Sequence, residues 1–327
     1  AYRDLEMEFD NFRSALTWAF DGTEMDVVEK GLRMVCSFER IWDRDTRYLA
    51  EGAMWLQKGL VLLDQQILKD FDLLRARALC LAGACHIFLG NVKQGGSMLE
   101  EGIKLYRKID PLDKRDMSYA LNMMAYLHFR ENYAIEAAQT SIEESVAICR
   151  ALGDNGRWEL AEALFTQGYI ANWNSEYEMA YQCAEESRLL FEQVVDPLRI
   201  AAVIELLGSI AYDQGDLESA GKRFLHSLKL YQNAGLESGI VQSKMEIADV
   251  DRRSGKHVAA RRGYEEALKY YMNVGDKTSA GFTLINIGRV ALLEKDYDQG
   301  SDGWREALQL VRDTRHYLFQ TMCLVAL

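Results

Sequence analysis

Apolar residues at Leu5, Phe9, Phe12, Leu16 and Ala19 or Phe20 fall on one side of a helix drawn over residues 3–20, with polar residues filling the other sides. Asp21-Gly22 ends that pattern. A second helix is predicted from Glu24 to Asp43 and a third from Tyr48 to Asp64. Beyond them the pattern becomes periodic, most visibly across residues 196–277, where two successive segments of equal length superimpose almost residue for residue. In each, a small residue (Gly208, Ala248) is followed twelve positions later by another (Ala220, Ala260), with a glycine (Gly215, Gly255) between them. Such a pattern is a helical hairpin, used twice.

Counted outward, the second small position reads Gly52, Gly95, Ala137, Ala180, Ala220, Ala260, Gly300, with spacings of 43, 42, 43, 40, 40 and 40. The first small position reads Gly83, Ala125, Gly168, Gly208, Ala248, Gly288. Twelve residues cover the end of one helix, a short turn and the start of the next. The two small residues are therefore expected to face each other where antiparallel helices approach. Four residues after the second small position stands a bulky side chain, Leu56, Leu99, Phe224, Tyr264 or Trp304, expected to pack onto the next hairpin. Ser141 and Ala184 break this rule, and Ile142 and the Tyr181 ring are expected to fill in.

Glycines recur between hairpins at Gly153, Gly235 and Gly275, where a left-handed residue past a helix end suits glycine. Asp196-Pro197 reads as an N-cap followed by proline at the first helical position. Sustained two-residue alternation and β-hairpin turn pairs are missing, so the expected fold class is all-α. Adding one more period to Gly288 passes the last residue, so residues 315–327 are expected to be the first helix of a truncated further repeat. Its apolar face is a candidate for self-association.

A helix-turn-helix unit with small residues twelve apart and a bulky residue four further on resembles the tetratricopeptide repeat. The resemblance covers roughly residues 24–327, but the units run 40–43 residues and lack the closing proline. It implies a right-handed superhelical solenoid of about seven hairpins over residues 23–314, led by an extra helix over residues 1–22. That leading stretch carries Leu5-Glu6, Asp10-Asn11-Phe12-Arg13 and Ala15-Leu16-Thr17-Trp18-Ala19, then Trp42, Glu51-Gly52 and Trp55-Leu56. It resembles the segment joining the ATPase module to the tetratricopeptide region in bacterial STAND-type regulators of the maltose-regulator, antibiotic-regulator and LuxR-like kind. The resemblance implies a sensor arm of a signalling ATPase, a transcriptional regulator, attached to an upstream module. A free-standing adaptor that holds a peptide is the alternative, as is the arm of an immune-type ATPase that recognises a foreign protein. Gly96 to Lys104 does not have phosphate-loop spacing.

In such an array the first helices line a concave groove. The resemblance places there Asn122, Tyr126, Phe129 and Arg130; then Phe165, Tyr169, Asn172 and Trp173; then Glu205, Ser209, Tyr212 and Asp213; then Met245, Asp249, Arg252 and Arg253. Rings interleaved with amides and charges suit a protein, a peptide or a small-molecule inducer. The basic end at Arg252, Arg253 and Arg289 suggests a ligand with an anionic end.

The net charge of −12 opposes attraction to nucleic acid and anionic lipid, so neither is an expected partner. No apolar run approaches the ~20 residues that a membrane helix needs, and a cytoplasmic location is expected. None of the five histidines sits at metal-ligand spacing. The six cysteines lie inside helical patterns and are expected to be buried free thiols. Acidic pairs such as Glu143-Glu144 and Glu265-Glu266 read as solvated faces. The expectation is a binding protein without catalytic residues, metal or cofactor.

Overall fold

The computed structural model describes residues 2–22, 24–38, 46–64, 71–109, 114–132 and 134–312. Among them the regular structure is helical throughout. The order is α1 (Tyr2–Asp21), α2 (Met25–Ser37), α3 (Thr46–Asp64), α4 (Asp72–Phe88), α5 (Val92–Ile109), α6 (Arg115–Asn132), α7 (Ile135–Leu152) and α8 (Arg157–Trp173). Then come α9 (Tyr177–Gln193), α10 (Pro197–Asp213), α11 (Leu217–Ala234), α12 (Glu237–Arg253), α13 (His257–Val274), α14 (Lys277–Leu293) and α15 (Tyr297–Val311). The chain forms two compact units, Ala1–Ile170 and Ala171–Leu327. The expected second helix appears over Met25–Ser37. Its expected continuation to Asp43, and the expected helix at 315–327 with its proposed self-association, lie outside the described residues.

In the first unit, α1 buries the stripe read from the sequence: Phe9, Phe12, Leu16, Ala19 and Phe20, with Trp18 left 71% exposed. These residues join α2, α3 and α4 in one cluster. Two glycines permit the approach. A Cβ on Gly31 would lie 2.8 Å from the Ala19 methyl, and one on Gly59 would lie 2.6 Å from Leu32 Cδ1. The Arg13 guanidinium ties α1 to α3 by donating from Nε and Nη2 to the two Glu51 oxygens at 2.8 and 2.9 Å. Trp55 Nε1 donates to the same carboxylate. Together these donors hold the Glu51 carboxyl below its ordinary range, Arg13 contributing most.

The hairpin α4/α5 realises the small-residue prediction directly. A Cβ on Gly83 would come within 2.8 Å of the Gly95 carbonyl oxygen, and one on Gly95 within 2.6 Å of the Gly83 oxygen. The two backbones touch, and only hydrogen fits between them.

The next hairpin corrects the register. Ala138, not Ala137, is the fully buried small residue of α7, and Ile142 behind it is 1% exposed. The reason is one extra residue in the turn. In most hairpins the residue before the second helix donates its N–H to a carbonyl five positions back, as Asp216 does to Ala211 and Lys256 to Asp251. Ala134 instead reaches six positions back, to His128. Ile142 therefore fills the plug position as expected, but as the regular occupant of a shifted frame.

In the second unit the hairpins α10/α11, α12/α13 and α14/α15 repeat closely. Their plugs join the next hairpin as expected, Phe224 with Val250 and Tyr264 with Ala280 and Ile287. Phe224 and Trp304 also cover the first small residue of their own hairpin, so a Cβ on Gly208 would lie 2.6 Å from the Phe224 ring and one on Gly288 2.5 Å from Trp304 Nε1. Sixteen residues separate plug from glycine, about the distance that brings two antiparallel helices back into contact. Trp304 also donates to the Ile285 carbonyl at 3.2 Å, which satisfies its indole N–H inside the core. The Tyr181 ring does not fill the fourth hairpin, being 42% exposed, while Ala184 and Phe191 are fully buried.

The caps follow sequence logic. Asp196, Asp216, Asp276 and Asp296 each accept from the backbone N–H three residues on, and Gly235 and Gly275 end α11 and α13 in the left-handed conformation. Val195, directly before Asp196, adopts φ 55° despite its branched side chain.

Candidate binding face

Expected groove positions divide into two kinds. The position three before the first small residue does not face solvent. Cys80, Asn122, Met245 and Ile285 occupy it in four hairpins and are 1%, 3%, 4% and 1% exposed. One helical step of four residues turns a side chain by about 40°, enough to carry this position into the core. Phe129, four residues after Ala125, is also buried, at 4%. Asn122 and Phe129 are therefore core residues and not part of an open surface, and Phe165 is half-buried. The side chain of Arg130 lies outside the described residues.

The position five after the small residue is the open one, as at Phe88, Trp173, Asp213, Arg253 and Leu293, while the position one after it is open at Tyr169 and half-buried or buried in the other hairpins. In the first unit Tyr126 is half-buried and Tyr169 is 46% exposed. Tyr126 lies against Phe88 with ring centroids 5.7 Å apart, and Tyr169 stands edge-on to Phe129 at 5.6 Å. In the second unit Trp173 is 54% exposed, and Asp213 and Arg253 are exposed. Asn172 donates to Asp213 at 2.8 Å, which fixes the carboxylate at the end of α10.

The basic end is already engaged. Arg253 stacks on the Tyr212 ring, its guanidinium carbon 4.5 Å from the ring centroid, and donates to the Tyr212 carbonyl at 2.7 Å. Arg252 donates to the Tyr212 hydroxyl at 3.1 Å, to Asp249 at 3.2 Å and to the Tyr264 hydroxyl at 3.3 Å. Tyr264 in turn donates to Asp249 at 2.7 Å. Burial, with the nearby Asp249 charge, pushes the Tyr264 and Tyr212 hydroxyls above their ordinary range. Arg252 is thus an internal cation neutralised by Asp249. Arg253 keeps one side of its guanidinium toward solvent. Arg289 donates to Asn286 at 3.1 Å.

Glu205 is the groove residue whose surroundings the spacing did not foresee. Its Oε1 accepts from Ser243 at 2.5 Å and its Oε2 from Tyr231 at 3.2 Å. Both donors lie outside the expected groove. A signal was present: Glu205 occupies the repeat position that Met245 and Ile285 fill with apolar side chains, so an acid there had to be met by polar neighbours.

A hollow of about 480 Å3 is lined by Gly255, Lys256, His257, Val258, Ala259 and Arg262 at the start of α13. Among the described residues no cluster of three or more His, Cys, Asp or Glu is placed to hold a metal ion, and no helix is long and apolar enough to cross a membrane. Cys36, Cys80, Cys85, Cys149 and Cys183 are buried free thiols.

No protein-family model matches the chain, and no curated protein matches it by sequence. Solved structures do match in fold. The chain is similar to a Signal Transduction ATPase with Numerous Domains (STAND) protein with a tetratricopeptide repeat sensor from Pyrococcus horikoshii, at TM-score 0.63 and 14% identity, over 94% of this chain and 48% of that one. It therefore spans about half the length of that protein. It is also similar to a Rap protein complexed with competence and sporulation factor, at TM-score 0.59 and 12% identity, over 99% and 96% of the two chains. Aspartyl phosphate phosphatase F from Bacillus subtilis matches at TM-score 0.54 and 10% identity, over 91% and 78%. At these identities the likeness concerns the fold: the chain is an all-α helical-repeat protein of the tetratricopeptide type.

Proposed function

We propose that this chain is a non-catalytic, partner-binding repeat array that serves as the sensor arm of a STAND-type signalling ATPase, a transcriptional regulator. The observation that carries the binding role is the row of exposed aromatic and charged groups held on first helices. In the second unit these are Trp173, Asp213 and the Arg253–Tyr212 stack; Asp213 is held by Asn172 and Arg253 by Tyr212, so these two have little rotamer freedom left to lose on binding. The similarity to a STAND protein with a repeat sensor over nearly the whole chain supports the finer reading. So does the leading segment: Arg13 and Glu51, both part of the STAND-like motif, are the pair that clamps α1 to the array. A clamped leading helix transmits movement of the array to whatever precedes it.

Two measurements test this. The coding sequence upstream of Ala1 is expected to hold a Gly-x4-Gly-Lys-Ser/Thr loop; a native start codon near Ala1 would contradict the sensor-arm reading and leave a free-standing adaptor. For binding, Trp173→Ala is expected to weaken the partner by roughly tenfold or more, as loss of an exposed aromatic anchor does. An unchanged affinity would place the partner on another face. A peptide ligand is favoured over an enclosed small molecule because the open positions form an exposed surface.

A further inference from the structure

Two half-buried carboxylates of the second unit, Glu205 and Glu246, take part in none of its ion pairs. Glu205 of α10 accepts from Ser243 of α12 and Tyr231 of α11, both neutral donors. Glu246 of α12 accepts from Gln242 at 3.0 Å through Oε1, while its Oε2 is buried with no hydrogen-bond partner. Around them the polar set continues with Ser227, whose hydroxyl is 3.4 Å from that of Ser243, and with Tyr271 of α13, which donates to Gln242 at 3.4 Å.

Several cations of the surrounding helices are engaged elsewhere. On α12, Lys244 pairs with Glu266 and Arg252 with Asp249. On α11, Lys222 pairs with Glu218, and Arg223 donates to the Leu207 carbonyl. On α13, Arg261 reaches Glu294 and Gln299. Arg188 of α9 pairs with Glu185 and Glu192, and Arg289 of α14 holds Asn286. Arg199 of α10 is close enough to act on the Tyr231 hydroxyl. Asp249 adds repulsion at Glu246.

A buried carboxylate without a cation is expensive in its ionised form, and two that sense each other cannot both ionise cheaply. An orphaned acceptor such as Glu246 Oε2 is the natural seat of a proton. We propose that Glu205 and Glu246 form a proton-held joint between the first helices of neighbouring hairpins: a proton retained in the pair keeps α10 and α12 packed, and its loss toward mildly alkaline pH loosens them. Burial pushes the Glu205 carboxyl up to about 7 and, together with the Glu205 charge, raises Glu246 well above the carboxylate range.

The direction follows from linkage. Both groups are raised in the folded chain, so the stability they contribute is complete below the unfolded value of about 4.3. It is lost as pH climbs through about 7 and beyond. The joint connects α10, which carries Tyr212 and Asp213, to α12, which carries Arg252 and Arg253. Proton loss therefore acts on the spacing of helices that carry the candidate face.

The test is chemical unfolding of the full chain from pH 5.5 to 8.5, wild type against Glu246→Gln, which removes the charge and keeps the shape. The ratio of the two unfolding constants is expected to grow by roughly tenfold or more across that range, since one unit of differential pKa is a factor of ten. A ratio that stays constant overturns the proposal. Should Glu246→Gln fail to fold, hydrogen–deuterium exchange of the wild-type chain at pH 6 and pH 8, corrected for intrinsic rates, gives the same answer. Faster opening of α10 and α12 relative to α14 at pH 8 supports the joint, and equal protection overturns it. Glu205→Gln, read by the same exchange measurement, is expected to abolish the difference; its persistence would also sink the idea.

Discussion

The two units build the same hairpin with different tolerances. In α4/α5 the small residues meet backbone to backbone, Gly83 against Gly95, with the modest Leu99 behind them. In α10/α11 and α14/α15 the first glycine lies under a large ring, Phe224 or Trp304. A ring at the end of a side chain can swing aside by a few tenths of an ångström, and a carbonyl inside a helix cannot. The same sequence sign, glycine at a fixed offset, therefore records an absolute constraint at Gly83 and Gly95 and a negotiable one at Gly208, with Gly288 between them because its Cβ would also lie 3.1 Å from the Gly300 oxygen.

The comparison can be broken at several points. The largest effect is expected at the shifted hairpin α6/α7, where Ile142→Ala removes a fully buried side chain and should cost about 3 kcal/mol, while Ser141→Ala stays within about 0.5 kcal/mol. Equal effects in urea unfolding would restore the unshifted register. Next, Gly95→Ala sets a methyl against a carbonyl oxygen and is expected to cost about 2–3 kcal/mol, against about 1 kcal/mol for Gly208→Ala, whose clash is with a ring. Protection of α4/α5 and α10/α11 in hydrogen exchange distinguishes them, and a reversed order would refute the backbone argument.

A smaller effect is expected at the leading helix. Glu51→Gln breaks its charge-assisted bonds with Arg13, and because Arg13 is 45% exposed the cost is discounted to about 0.5–1 kcal/mol. The Glu51 carboxyl is held below its ordinary range, so its contribution is present above about pH 4.3 and disappears as pH falls through the lowered folded value. Acid titration of the variant should thus be flatter than that of the wild type. The smallest effect has the opposite sign. Val195→Gly relieves a branched residue at φ 55° and is expected to stabilise by about 0.5–1 kcal/mol in thermal unfolding. A loss there would mean that the Val195 side chain has a role its 80% exposure does not suggest.

Much of the scaffold was legible from pattern alone, because a helix repeats its environment every 3.6 residues and a hairpin array repeats it again every forty. The cap at Asp196, the turn glycines and the buried stripe of α1 all follow from local chemistry. The candidate face was legible only in part. Position counting placed Asn122 and Phe129 beside Tyr126, yet a rotation of about 40° sends the first into the core, and its sign depends on how neighbouring helices cross. Arg252 and Arg253 looked like free cations because their partners, Tyr212 and Tyr264, are distant in sequence or lie on another helix.

What the chain determined by itself is the all-α hairpin array, its period and the residues at which helices must come close, since these depend on interactions within about forty residues. The tertiary structure decided the rest: the cover that Phe224 and Trp304 lay over the glycines of their own hairpins, the bonds of Arg252 to Tyr212 and Tyr264 and the meeting of Glu205 with Ser243 and Tyr231. Each depends on the crossing of two helices. Side-chain spacing along one helix says which way a residue points, but only the neighbour's position says whether it points at water, a ring or another charge.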